Sequence, residues 1–130
     1  MAGAVSLGAI SVVHVAWAAG SAWPARDHAA LADAVGGFAA MPGRAACLAV
    51  ASALGLAACA VARRPSSLPH VTRAGAVATA CVMALRGGVG LAGIMPHERR
   101  SARFAVLNRR LYSPLCLALG LIAAVAAVET

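Results

Sequence analysis

The chain has 130 residues, 62% of them hydrophobic, with only 12% charged and a formal net charge of +7. A soluble domain of this length carries about twice that charged share, and its apolar residues do not collect in long blocks, so a soluble globular fold is excluded. All eleven basic residues are arginine, and they gather at the ends of apolar segments, as at membrane interfaces. With no basic face or aromatic platform, nucleic acid is not an expected partner.

The first apolar run, about residues 3–19, is expected to be a membrane span of about 26 Å. No Lys or Arg precedes it and it carries His14, so it reads as an uncleaved span and not as a signal peptide. Trp17 lies on the face of His14, and Trp17 and Trp23 read as interfacial anchors. His14 reads either as a neutral histidine bonded to a neighbouring helix or as a functional group. From Asp27, a fitting N-cap, Leu31, Val35 and Phe38 recur at helical spacing, which predicts a short amphipathic helix in the first loop.

The second span is expected over residues 45–62, with Ala51, Gly55 and Cys59 as a small-residue packing ridge. Arg63-Arg64-Pro65 ends it, and a polar connector containing a solvated His70 leads to Arg73. The third span, 74–95, has Ala84, Gly88 and Ala92 as its ridge and holds Arg86, with Gly87, Gly88 and Gly90 beside it. A permanent cation at that depth costs about 2.5–3.5 kcal/mol on insertion scales, so an anion, a set of carbonyls or a polar cavity must compensate it. The third loop reads as a basic amphipathic helix through Phe104, Leu107 and Leu111. Ser113 and Pro114 then suit the N-cap and first residue of a fourth span, 114–128, short enough to begin inside the preceding helix.

The fold expected is therefore all-α: a single integral membrane four-helix bundle over residues 1–130, with interfacial helices in the first and third loops. A shift of 72 residues superposes His14 on Arg86, Pro24 on Pro96 and Pro42 on Pro114, which suggests a parallel duplication of a two-span unit.

Up-and-down topology puts both long loops on one side. His14, Trp17, Cys47, Arg86, Tyr112, Ser113 and Cys116 then share one half of the bilayer, beneath two interfacial helices. Those loops hold seven arginines (26, 44, 99, 100, 103, 109, 110) against three in the other connector (63, 64, 73), which places this end in the cytoplasm. A multi-pass protein of the inner (cytoplasmic) membrane is the expected location. The four cysteines (Cys47, Cys59, Cys81, Cys116) lack metal-ligand spacing and read as small buried apolar residues; a Cys47–Cys116 bridge is disfavoured by a reducing setting.

The candidate ligand-binding residues are Arg86, His14, Trp17, Tyr112, Ser113 and Gly87, with the lipid bilayer and an anionic lipid or amphipathic small molecule as expected partners. No cofactor and no metal are expected, because a haem needs paired histidines and only His14 lies within a span. The competing readings are a membrane enzyme with His14 as acid or base and Arg86 as electrostatic stabiliser, and a structural subunit whose Arg86 locks helices through loop carbonyls. The spans hold no Asp or Glu, which argues against a proton-coupled exporter.

The run His14-x-x-Trp17-x-x-Gly20-x-x-Trp23-Pro24, the pair Arg86-Gly87, and Phe104-x-x-Leu107-x-x-x-Leu111-Tyr112-Ser113-Pro114-Leu115-Cys116-Leu117 resemble the bacterial membrane-protein family catalogued as domain of unknown function 3995. The resemblance spans nearly the whole chain and implies a small integral membrane protein of about four helices with no established activity. It also implies an acidic residue where Asn108 stands, so an obligatory ion pair from that position to Arg86 is not expected here.

Overall fold

The computed structural model describes residues 1–62, 68–94 and 101–129, and these are helical with no strand among them. Three helices are long and apolar enough to cross a membrane: Arg44–Val61, Pro69–Ala92, and the continuous helical stretch Ala102–Glu129. The apolar Ala2–Ala18 is shorter, at 17 residues. In chain order the elements are α1 (Ala2–Ala18), α2 (His28–Gly36), α3 (Arg44–Val61), α4 (Pro69–Ala92), α5 (Ala102–Leu107), a π-helical turn (Asn108–Tyr112) and α6 (Ser113–Glu129).

Local chemistry sets most of these boundaries. Asp27 caps α2 by accepting the Ala30 N–H at 2.7 Å, as its place before the apolar repeat implies. Gly37, at φ 63°, takes the left-handed conformation that closes α2, and the Phe38 N–H bonds back to the Ala32 carbonyl. α4 begins earlier than the expected residue 74: Pro69 occupies its start, where a missing N–H costs nothing, and His70 falls in the first turn, exposed. Gly93, at φ 68°, ends it. The expected stop at Arg63-Arg64-Pro65, and the loop residues Pro96, Glu98, Arg99 and Arg100, lie outside the described residues.

The fourth span does begin inside the preceding helix, and the cap expected at Ser113 is corrected. Ser101, not Ser113, is the N-cap, accepting the Phe104 N–H at 3.0 Å, and the helix runs on through Pro114. Pro114 has no N–H for the carbonyl four residues back and would crowd it. The wide π turn immediately before it relieves that conflict, which is how a proline is carried inside a membrane helix.

Helices α1 and α3 pack as one pair, α4 and α6 as another, and α3 joins α4 while α1 and α3 each touch α6, leaving α1 and α4 at opposite corners. Each half pairs its outer helices, α1 with α3 and α4 with α6, around a short helix; α2 is separate from α3, whereas α5 runs on into α6 without a break. The short helices α2 and α5 also meet.

The centre is built largely from small residues. Leu7, Leu54, Val61, Leu119, Ala123 and Ala126 form one buried cluster. Close approach carries the packing: a methyl group added at Gly120 would stand 3.2 Å from the Ala84 backbone nitrogen. Ser11 Oγ donates to the Ala51 carbonyl at 2.7 Å, a direct bond between α1 and α3. The outer surface is apolar instead, with Leu56 73% and Leu85 69% exposed, as suits side chains that face lipid. The expected ridge Ala84, Gly88, Ala92 lies on this outer face, all three exposed; α4 turns Ala76, Thr79, Gly87 and Gly90 inward.

Candidate functional site

Arg86 sits near the C-terminal end of α4, half-buried, where Gly87 and Gly90 let α6 come close. A methyl group at Gly87 would stand 2.9 Å from the Ser113 carbonyl oxygen and 2.6 Å from Leu117 Cγ. One at Gly90 would overlap Ser113 Oγ and stand 2.9 Å from both Arg86 Nη1 and Asn108 Nδ2. The two glycines make room for a polar cluster between helices.

Asn108 is at its centre, fully buried at 0% exposure. Its Oδ1 accepts from Arg86 Nη2 at 2.9 Å and from Ser113 Oγ at 3.4 Å, and its Nδ2 donates to the Gly90 carbonyl at 3.4 Å. The π turn that begins at Asn108 sets its register relative to Ser113, five residues on, so that both reach the same space. Arg86 Nη1 is buried with no hydrogen-bond partner among the described residues. The guanidinium thus keeps its full charge against a neutral amide, with a donor nitrogen unmet.

Tyr112 ties this cluster's helix to the first half: its hydroxyl donates to the Ala34 carbonyl of α2 at 3.0 Å, and its ring lies 6.3 Å from that of Phe104. His14 and Trp17 lie elsewhere. They line a cavity of about 260 Å³ between α1, α2 and α3, together with Phe38, Met41, Cys47 and Val50. The rings of His14 and Trp17 are 4.7 Å apart, tilted by 55°. His14 Nδ1 is 2.8 Å from the carbonyl of Ile10 in its own helix, not a neighbouring one. The six candidate residues therefore fall into two clusters, Arg86 with Gly87 and Ser113, and His14 with Trp17, with Tyr112 bonded to the short helix that walls the second.

Sequence reasoning undervalued Asn108. Its signal was present: it lies four residues after Phe104, on the apolar face of a basic helix, where an amide is costly unless it is bonded. Of the four cysteines expected to be buried, Cys47 is buried and Cys116 half-buried, but Cys59 and Cys81 are exposed; all four are free thiols. Among the described residues no group of three His, Cys, Asp or Glu side chains could hold a metal ion. Asp27 pairs with Arg26 at 3.1 Å, in the first loop.

A chain whose described residues are helical, with three helices long and apolar enough to cross a membrane and an apolar outer surface, is a membrane protein. It belongs to the family described as protein of unknown function DUF3995, whose model matches residues 7–123. Neither the curated proteins nor the solved structures include a match to it.

Proposed function

We propose that this protein is a four-span bundle of the cytoplasmic membrane that binds a lipid-soluble molecule with an anionic headgroup, the anion seated on Arg86. One observation carries the reading: a permanent cation within an apolar helix has a neutral amide as its acceptor and a buried Nη1 with none among the described residues. A phosphate or carboxylate oxygen supplies both the missing acceptor and the missing charge, and guanidinium geometry suits either. Asn108 and Ser113 orient the side chain from behind, and the glycines keep the approach narrow. The exposed Arg103, Arg109 and Arg110 gather anionic amphiphiles toward that end of the bundle.

Acid–base catalysis would need His14 and Arg86 on one substrate, and they stand on α1 and α4, at opposite corners of the packed helices. The geometry favours binding over that chemistry. The test is native mass spectrometry of the detergent-purified chain offered phosphatidylglycerol and phosphatidylcholine of equal chain length. Wild type is expected to retain the anionic lipid about tenfold better, and Arg86→Gln to lose the preference. Equal retention of both lipids by wild type would overturn the proposal.

A further inference from the structure

His14 poses a second binding problem, independent of Arg86. The Ile10 carbonyl can only accept, so the His14 Nδ1 that lies 2.8 Å from it carries the ring proton. In the neutral ring Nε2 is then an acceptor with no hydrogen-bond partner among the described residues. The other polar groups on the cavity wall are already engaged. Trp17 Nε1 donates to the Trp23 carbonyl at 2.7 Å, and Cys47 Sγ is directed to the Pro42 carbonyl at 3.7 Å. What remains is one acceptor among aromatic and aliphatic walls.

The second half of the chain meets the same problem with its own side chain. In the 72-residue register Arg86 stands for His14, Ser113 for Met41 and Pro114 for Pro42, and Asn108 stands where the first half has Gly36. Asn108 answers Arg86 directly. Gly36 has no side chain to offer His14, and the ring of Phe38 occupies the place of its missing Cβ. Where the second half meets its polar side chain with an amide, the first half offers the ring of Phe38.

We propose that this cavity is a second binding site, which takes a lipid-soluble phenol: one aromatic ring whose hydroxyl donates to His14 Nε2. Apolar walls reject a charged group, while Trp17 and Phe38 favour an aromatic ring over a plain alcohol. A volume of about 260 Å³ is enough for one substituted ring. Val50, 44% exposed on the outer face of α3, lies at the rim, so the ligand enters from the lipid.

The test uses the full chain carrying Trp23→Phe, which leaves Trp17 as the sole tryptophan and preserves the backbone acceptor it bonds. Trp17 fluorescence is titrated with 4-propylphenol and with propylbenzene, which has nearly the same shape without the hydroxyl. Saturable binding of the phenol, about fivefold tighter than propylbenzene, is expected. His14→Leu should bind both probes alike. Should His14→Leu fail to fold, Ala46→Phe, which fills the cavity from its rim without adding a tryptophan, must abolish binding of both probes. Equal affinities in the Trp23→Phe parent, no saturable response, or phenol binding that survives Ala46→Phe would each overturn the proposal.

Discussion

Asn108→Asp separates an anion-seeking Arg86 from one that is already satisfied. The substitution is nearly isosteric and puts a carboxylate oxygen at the 2.9 Å contact with Arg86 Nη2. Two unit charges about 4 Å apart gain about 4 kcal/mol at an effective dielectric of 20, before desolvation of the new carboxylate is subtracted. The amide's 3.4 Å bond to the Gly90 carbonyl is lost, at a cost of about 1 kcal/mol. The net expected is a stabilisation of about 1–2 kcal/mol, read as a rise of a few degrees in the thermal midpoint in detergent. Ligand binding must move the other way: with a carboxylate as resident counter-ion, an anionic headgroup meets a neutralised site and loses at least tenfold in affinity. Lipid retention by native mass spectrometry and differential scanning fluorimetry on the same samples give both numbers. Unchanged retention of anionic lipid by Asn108→Asp would refute the reasoning.

Gly90→Ala and Gly88→Ala form a matched pair on one helix. A methyl group at Gly90 runs into Ser113 Oγ and should cost about 1–3 kcal/mol with loss of anionic-lipid retention, whereas one at Gly88 meets nothing within 4 Å and should leave the melting point level or slightly raised. Tyr112→Phe removes the 3.0 Å bond to the Ala34 carbonyl and should loosen α2 by about 1 kcal/mol, seen as faster amide exchange in α2 with α4 unchanged. The Asp27 carboxyl is held below its usual value of 3.8, first by the Ala30 N–H, which outweighs an opposing desolvation, and then by the smaller effect of the Arg26 charge. Its cap is therefore complete above pH 3.8 and is lost as pH falls through the lowered folded value, so the Ala30 amide resonance should titrate below 3.8 and Asp27→Asn should abolish that inflection.

The apolar runs and the cap at Asp27 made the helices legible, because a bilayer admits few alternatives to a long apolar helix and an Asp before a helical repeat has one common use. What could not be read was which way each helix faces. Ala84, Gly88 and Ala92 have the spacing of a packing ridge, yet Gly87 and Gly90, one step round the helix, make the contact with α6. Small residues are cheap on either face in an Ala-rich chain, so their spacing alone does not choose. Ser113 and Pro114 have the chemistry of a helix start, and only the π turn, a three-dimensional device, lets the helix pass through them. Arg86 was conspicuous as a charge in an apolar run, while its partner was not: an asparagine on a basic amphipathic helix looks ordinary until its face is known. His14 and Arg86 share an end of the chain's up-and-down path, but depth does not specify which corner of a bundle a residue occupies.

The central claim, that the unmet Nη1 of Arg86 receives an anion, is tested most directly by ¹⁵N resonances of the Arg86 guanidinium, assigned by their loss in Arg86→Gln. In detergent, titration with an anionic amphiphile should shift the Nη resonances saturably and slow rotation of the guanidinium, and a zwitterionic amphiphile of the same chain length should do neither. Resonances that stay unmoved by the anion, or that respond equally to both amphiphiles, would contradict the account.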